Sequence, residues 1–249
     1  IDNQKNIFIK KFFATIQLVM AGSDAGGLQY GVINTPERYY LSWKEDTPME
    51  ELLDNDLFAM CQKERLLDII HNFIVYDDYM GIKKVCRHNQ YFGAKKTQES
   101  LGREEGGILW HTQGSGKSLL MIWLAKWIRE NRDDSRVLIL TDREELDDQI
   151  EGFFAGVDEK IYRTQSGKDM IEKLNEQEHV FMCSLIHKFR SKDSDDEGYD
   201  EMLANIPADF SVKGNLHIFI DECHRTQSGK LHDAMIKLLP NAIILGFTG

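Results

Sequence analysis

The chain has 249 residues, 42% hydrophobic and 29% charged, the balance of an ordinary soluble globular protein with a real core. Its formal net charge of −11 argues against a protein that coats nucleic acid through clustered Lys and Arg, though not against a motor that touches phosphates at a few points. No apolar run approaches the roughly 18–20 residues needed to span a bilayer, so no membrane partner is expected.

The opening "IDNQKNIFIKKFF" lacks the basic, apolar and small-residue order of a signal peptide, and both ends read as cuts through a longer protein. Cys61, Cys86, Cys183 and Cys223 form no CxxC pair. They read as reduced thiols, which fits the cytoplasm better than a disulfide framework or a zinc site.

In chain order, residues 1–46 hold short apolar and aromatic runs. "ATIQLVMAG" and "LQYGVI" read as strands, with "GSDAGG" as the hairpin turn between them. Residues 47–83 read as a helical connector. Thr47 is the expected N-cap and Pro48 the first helical residue, and "KERLLDIIHNFIVY" presents an apolar face at Leu66, Leu67, Ile70, Phe73 and Ile74. Residues 82–97 carry Lys83, Lys84, Arg87, Lys95 and Lys96 with no acid, a run read as a solvated face.

From residue 84 to 249 the rhythm changes. The runs "GILW" (107–110), "VLIL" (137–140), "VFMC" (180–183), "LHIFI" (216–220) and "AIILGF" (242–247) alternate with helical patterns. Runs apolar on both faces predict an α/β domain whose parallel sheet is flanked by helices. The segment 191–201 reads as a solvated acidic loop. Asp193, Asp195 and Gly198 resemble a calcium loop, but its twelfth position is Ala204, where a bidentate acid belongs.

Three stretches share letters: "TQGSGKS" (112–118), "TQSGKDM" (164–170) and "TQSGKLH" (226–232). A phosphate loop needs a strand before it, glycines whose neighbouring N–H groups curl round an anion, a helix starting at once, a Lys for the β- and γ-phosphates and a hydroxyl for Mg²⁺. Only the first stretch meets every demand. "GILW" precedes it, Thr112, Gly114, Ser115 and Gly116 form the turn, Lys117 and Ser118 follow, and "LLMIWLAKWI" runs on as a buried helix. His111 stands where the usual pattern has its first Gly. The second stretch puts Asp169 after its Lys and the third Leu231, so both read as ordinary turns.

"LHIFIDECHR" (216–225) is a strand ending in two acids, facing the crevice where open α/β sheets bind ligands. Asp221 is the expected Mg²⁺ acid with Ser118, and Glu222 the residue that orients or deprotonates water. With Lys117 they make a catalytic set for ATP hydrolysis. Trp110, Trp123 and Trp127 read as core packing. His71, His88, His179, His217 and His232 lack metal-ligand spacing.

"DECH" resembles the DExH box of superfamily-2 helicases and translocases, and other segments follow in the expected order. "VLILTDREELDDQ" (137–149) and "VFMCSLIHKF" (180–189) resemble nucleic-acid-contacting motifs, with Thr141, Arg143 and Ser184 as contacts. "GFTG" (246–249) resembles the coupling motif, with Thr248 in the hydroxyl position, and His224 is a further coupling residue. "CRHNQYFGAKK" resembles the adenine-reading motif, with Gln90 as the base contact and Arg87 in support.

The combination "GGILWHTQGSGKS", "LTDREELDDQ", "FIDECHRTQSGK" and "GFTG" is similar to the motor of the restriction (R) subunit of type I restriction–modification enzymes. The resemblance implies a RecA-like P-loop domain over 84–249, preceded by the helical connector and by the remnant of an α/β nuclease domain over 1–46. It implies an ATP- and Mg²⁺-dependent translocase that pumps double-stranded DNA and works with modification and specificity subunits. Nuclease acids, a second motor domain and its arginine finger would lie outside the chain. On that reading this piece alone hydrolyses ATP slowly and neither cuts nor pumps DNA. A superfamily-2 DNA or RNA helicase outside restriction is the alternative, and a nucleotide-dependent binding module without productive hydrolysis is a third.

Overall fold

The computed structural model describes residues 7, 9–13, 15–77, 81–142, 150–152, 154–156, 159–178, 180–186, 206, 210–223 and 235–249. The chain divides into two compact units, Ile1–Phe92 and Gly93–Gly249.

The first unit begins with a short helix, α1 (Lys10–Phe13), and a hairpin of β1 (Val19–Ser23) and β2 (Gly27–Gly31), paired antiparallel from Val19↔Gly31 to Ser23↔Gly27. The predicted turn falls between them. A two-residue strand, β3 (Leu41–Ser42), adds to β2. Helix α2 (Leu52–Met60) starts later than the sequence signal suggests, with Glu51 as an N-cap that makes no side-chain bond. Thr47 is not its cap: the Thr47 oxygen accepts the Met49 N–H at 3.3 Å, in a turn ahead of the helix, while its hydroxyl and backbone N–H donate to Asn55 Oδ1 at 2.6 and 2.8 Å.

Helix α3 (Lys63–Asn72) buries Ile69, and Leu67 is exposed. It also stops before the end of the predicted helical run. Residues Ile74–Asp77 form β4, paired antiparallel with β5 (Ile82–Val85), so "IVYD" is a strand. Its β-branched pair Ile74–Val75 favours a pleated, half-buried setting over another helical turn. Trp43 collects Tyr30 and Tyr91 at 6.1 and 5.4 Å, and the Arg65 guanidinium lies over the Trp43 ring. Within the basic run Lys84 pairs with Asp77 at 2.7 Å and Lys83 donates to the Ile16 carbonyl at 3.0 Å.

The second unit holds a six-stranded, all-parallel sheet. Its strands are β6 (Gly107–Trp110), β7 (Ser135–Thr141), β8 (Ile161–Arg163), β9 (Phe181–Leu185), β10 (Asn215–Ile220) and β11 (Ile243–Thr248), in the spatial order β6-β11-β10-β7-β9-β8. All five apolar runs read from sequence are strands. On one face Leu138, Leu140, Met182, Ile218 and Ile220 pack with Met170, Ile171 and Leu174 of α6 (Gly167–Asn175). Val137, Ile139, Phe219 and Phe247, at the alternate positions, are equally buried.

Helix α4 (His88–Gly102) leads into this unit, and α5 (Lys117–Asn131) packs against β7. A 15-residue helix is marginal alone in water. Burial of Leu120 through Ala125 and of Ile128, at about 1.5–3 kcal/mol for each large side chain, is what holds α5. The run "GILW" departs from expectation. As the edge strand β6 it buries only Leu109, leaving Ile108 73% and Trp110 81% exposed, so Trp110 is not core packing. Trp123, by contrast, is buried as read.

Candidate nucleotide site

Strand β6 delivers the chain to the carboxyl end of the sheet, where the His111 N–H donates to the Thr248 carbonyl at 2.8 Å. The loop then turns, with the Ser115 N–H on the Thr112 carbonyl at 3.1 Å. Gly114 and Gly116 have φ of +74° and +85°, a region in which side chains other than glycine are strained. Nothing lies within 4 Å of where a Cβ on Gly114 would stand, so that side of the loop is open. Gly116 is the N-cap of α5 and no side chain caps it. Uncapped first-turn N–H groups at the positive end of a 15-residue helix form an anion-binding cradle.

Ser115 Oγ is buried without a hydrogen-bond partner among the described residues. A buried hydroxyl left so costs about 1–3 kcal/mol and fits a site built to meet acceptor oxygens such as those of phosphate. Ser118, in the first turn of α5, and Asp221 are hard oxygen donors, few in number. Mg²⁺ is held in this way when phosphate oxygens and water complete its shell. Among the described residues no group of three or more His, Cys, Asp and Glu side chains could hold a metal ion by itself.

The "DECH" acids stand beside the loop. Lys117 Nζ lies 3.6 Å from Glu222 Oε1, with the two side chains only 10% and 4% exposed. Lys117 is the first residue of α5, and Glu222 follows the end of β10. Pairing of β10 with β11, and of β11 with β6, brings them together. Glu222 has φ +46°, an unusual conformation for a residue with a side chain, of the kind that concentrates at functional sites. Asp221 is buried, and its N–H donates to the Leu140 carbonyl at 2.9 Å.

The coupling-motif strand closes the other side. The Cys223 N–H donates to the Phe247 carbonyl at 3.0 Å. The Thr248 side chain hydrogen-bonds the Cys223 thiol, whose pKa is raised chiefly by burial. A Cβ on Gly249 would press on the His111 carbonyl and lie 2.7 Å from Lys117 Nζ. The His111 imidazole packs on α4, where a Cβ on Gly93 would come within 2.8 Å of its Nε2. Burial, then the nearby Lys117 charge, holds His111 below the usual histidine range, so it is neutral near pH 7.

Three sequence assignments are corrected by burial. Thr141 is fully buried and donates through Oγ1 to Asp221 Oδ2 at 3.5 Å. Ser184 is also buried, with its hydroxyl 2.5 Å from that of Thr164. Neither hydroxyl reaches a nucleic-acid strand from this arrangement. Gln90 is buried too, and its Oε1 accepts the Arg87 N–H at 2.8 Å, which fastens the start of α4 in the manner of a capping box rather than presenting an amide to a base. Arg87 is exposed. Arg143 and His224 lie outside the described residues, as do the 191–201 segment and the third "TQSGK" stretch. The second stretch is a helix cap: Ser166 Oγ accepts the Asp169 N–H at 3.1 Å and Asp169 accepts the Gln165 N–H at 2.7 Å.

The profile of the SWI2/SNF2 ATPase family matches residues 89–249. The type I restriction enzyme HindI endonuclease subunit of Haemophilus influenzae is 30% identical over 229 residues, 80% of this chain and 21% of its own. The SauCOLORF180P type I restriction endonuclease subunit of Staphylococcus aureus is 27% identical over 85% of this chain and 22% of its own. The chain thus spans about a fifth of the length of these relatives. Among solved structures, UvsW of bacteriophage T4 superposes with a TM-score of 0.51 at 17% identity, covering 76% of this chain and 34% of that one. The likeness is of fold, that of a RecA-like helicase core. No described helix is long and apolar enough to cross a membrane.

Proposed function

The chain belongs to the SWI2/SNF2 ATPase family, and on that premise we propose that it is the ATP-driven, DNA-translocating motor of a type I restriction endonuclease subunit. It would act on double-stranded DNA, in the cytoplasm, beside modification and specificity subunits. The likeness to restriction endonuclease subunits over 80% or more of the chain supports the assignment to restriction. The observation that carries the motor assignment is Lys117 Nζ standing 3.6 Å from Glu222 Oε1, which joins the phosphate loop to the strand-end acids in one site.

In this reading the loop N–H groups from Gly114 to Lys117 and the first turn of α5 take the phosphate oxygens. Lys117 exchanges Glu222 for the β- and γ-phosphates. Glu222, released from the lysine, orients the attacking water in line with the γ-phosphate and takes its proton. Ser118 and Asp221 would hold Mg²⁺, which neutralises charge on the phosphate oxygens when bound. Thr248, bonded to Cys223 in the residue after Glu222, would pass the state of the site to the DNA side, together with His224. Arg143 is the remaining candidate for strand contact, and the exposed Arg87 that for adenine.

The test is ATP turnover by the full-length protein with and without linear double-stranded DNA, alongside displacement of a triplex-forming strand placed on that DNA. ATP-dependent displacement with DNA-stimulated turnover is expected. Turnover indifferent to DNA, with no displacement, would refute the motor reading.

A further inference from the structure

We infer that Thr141 is a positioning residue for the metal-side acid, fixing the Asp221 carboxylate in the orientation in which it meets the phosphate-bound cation. The inference rests on the reading of Asp221 given above. It comes from an observation that reading does not use: a fully buried hydroxyl at the end of β7 set against a buried carboxylate at the end of β10.

The parallel register runs from Asn215↔Ser135 to Ile220↔Leu140, so the next residues along, Thr141 and Asp221, emerge side by side. The Asp221 N–H is already tied to the Leu140 carbonyl, which fixes its backbone to β7. The Thr141 hydroxyl in turn lies 3.5 Å from Oδ2 of the Asp221 side chain. An ionised carboxylate only accepts hydrogen bonds, so the hydroxyl is the donor. At this length the bond is weak in itself, and what it supplies is direction. An outer partner that orients a metal-binding carboxylate typically governs metal affinity or activity by about 10–100-fold. The burial that bars Thr141 from nucleic acid is the same burial that fits it for this task.

The experiment measures binding of a fluorescent ADP analogue to the full-length protein as Mg²⁺ is titrated, and again in EDTA. The variants are Thr141→Val, which keeps the shape and removes the hydroxyl, and Thr141→Ser, which keeps the hydroxyl. Thr141→Val should raise the Mg²⁺ concentration for half-maximal enhancement of nucleotide binding by about 10–100-fold. It should leave binding in EDTA within about twofold, and Thr141→Ser should restore most of the Mg²⁺ response. If Thr141→Val does not fold, Thr141→Ala carries the same expectation. An unchanged Mg²⁺ requirement in the valine variant overturns the inference, as does an equal loss with and without Mg²⁺, which marks a packing defect. If the unaltered protein itself shows no Mg²⁺ enhancement, the reading of Asp221 fails, and the role of Thr141 falls with it.

Discussion

Replacing Glu222 by Gln separates binding from hydrolysis. The change keeps the size of the side chain and removes one negative charge 3.6 Å from Lys117 Nζ. At an effective dielectric of about 20, that separation corresponds to an attraction of about 4–5 kcal/mol. Desolvating two largely buried ends returns most of it. A triphosphate entering the loop must win Lys117 from Glu222 and tolerate the carboxylate beside it. Removing the charge relieves both costs. A net gain of about 1–2 kcal/mol is expected, or roughly 5- to 30-fold tighter ATP binding. The same change removes the proton acceptor for water, and turnover should fall about 10²–10⁴-fold. Equilibrium titration of ATP and steady-state phosphate release, both on the full-length protein, read the two effects separately. Turnover within tenfold of the unaltered protein would refute the role of Glu222. Weaker ATP binding would refute the competition argument.

Lys117→Ala removes the cation beside the buried Glu222 carboxylate and should cost about 3–5 kcal/mol of stability, read from urea unfolding, whereas Lys117→Met with Glu222→Gln should cost much less because both charges go together. Arg136 is buried and donates to the carbonyls of Lys173, Leu174 and Lys213 at 2.7–3.0 Å, so Arg136→Leu should lower stability by about 3 kcal/mol or more, visible as a reduced urea midpoint. Burial, then the Arg132 charge, lowers the His217 pKa below its ordinary 6.5, so between the folded and unfolded values the unfolded chain binds the extra proton. That stability is present above about pH 6.5 and is lost as pH falls below it. Urea midpoints at pH 7.5 and 5.5 should differ less in His217→Asn, which can keep the bond to the Asn215 carbonyl.

Legibility followed the range of the forces involved. Four of the five apolar runs were readable because a strand covered on both faces must be apolar at every position, a local property of the letters, whereas "GILW" is an apolar run at an exposed edge. Strand β8 gave no such signal, being three residues of mixed polarity at the far edge of the sheet. The helical reading of "FIVY" failed because pairing with the nearby strand β5, from Ile74↔Val85 to Asp77↔Ile82, outweighed the periodicity carried over from α3. Thr47 failed as the cap of α2 because its oxygen accepts the Met49 N–H in a turn that ends before the helix begins at Leu52. The phosphate loop was legible because glycines, lysine, hydroxyl and helix must follow one another directly. The surroundings of Thr141, Ser184 and Gln90 were not, because sequence motifs carry residue type without burial.

The sequence by itself determined the alternation of strands and helices and the places of the loop ending in Lys117 and Ser118 and of the acids that follow β10, since each is written in neighbouring residues. Only the tertiary structure decided that β6 is an edge with Trp110 in solvent, that Lys117 meets Glu222, and that Thr141 turns inward to Asp221. Those outcomes depend on strand order and register, which bring together residues about 80–105 positions apart. Such order is set by the summed packing of the whole sheet and is encoded in no single stretch of the chain.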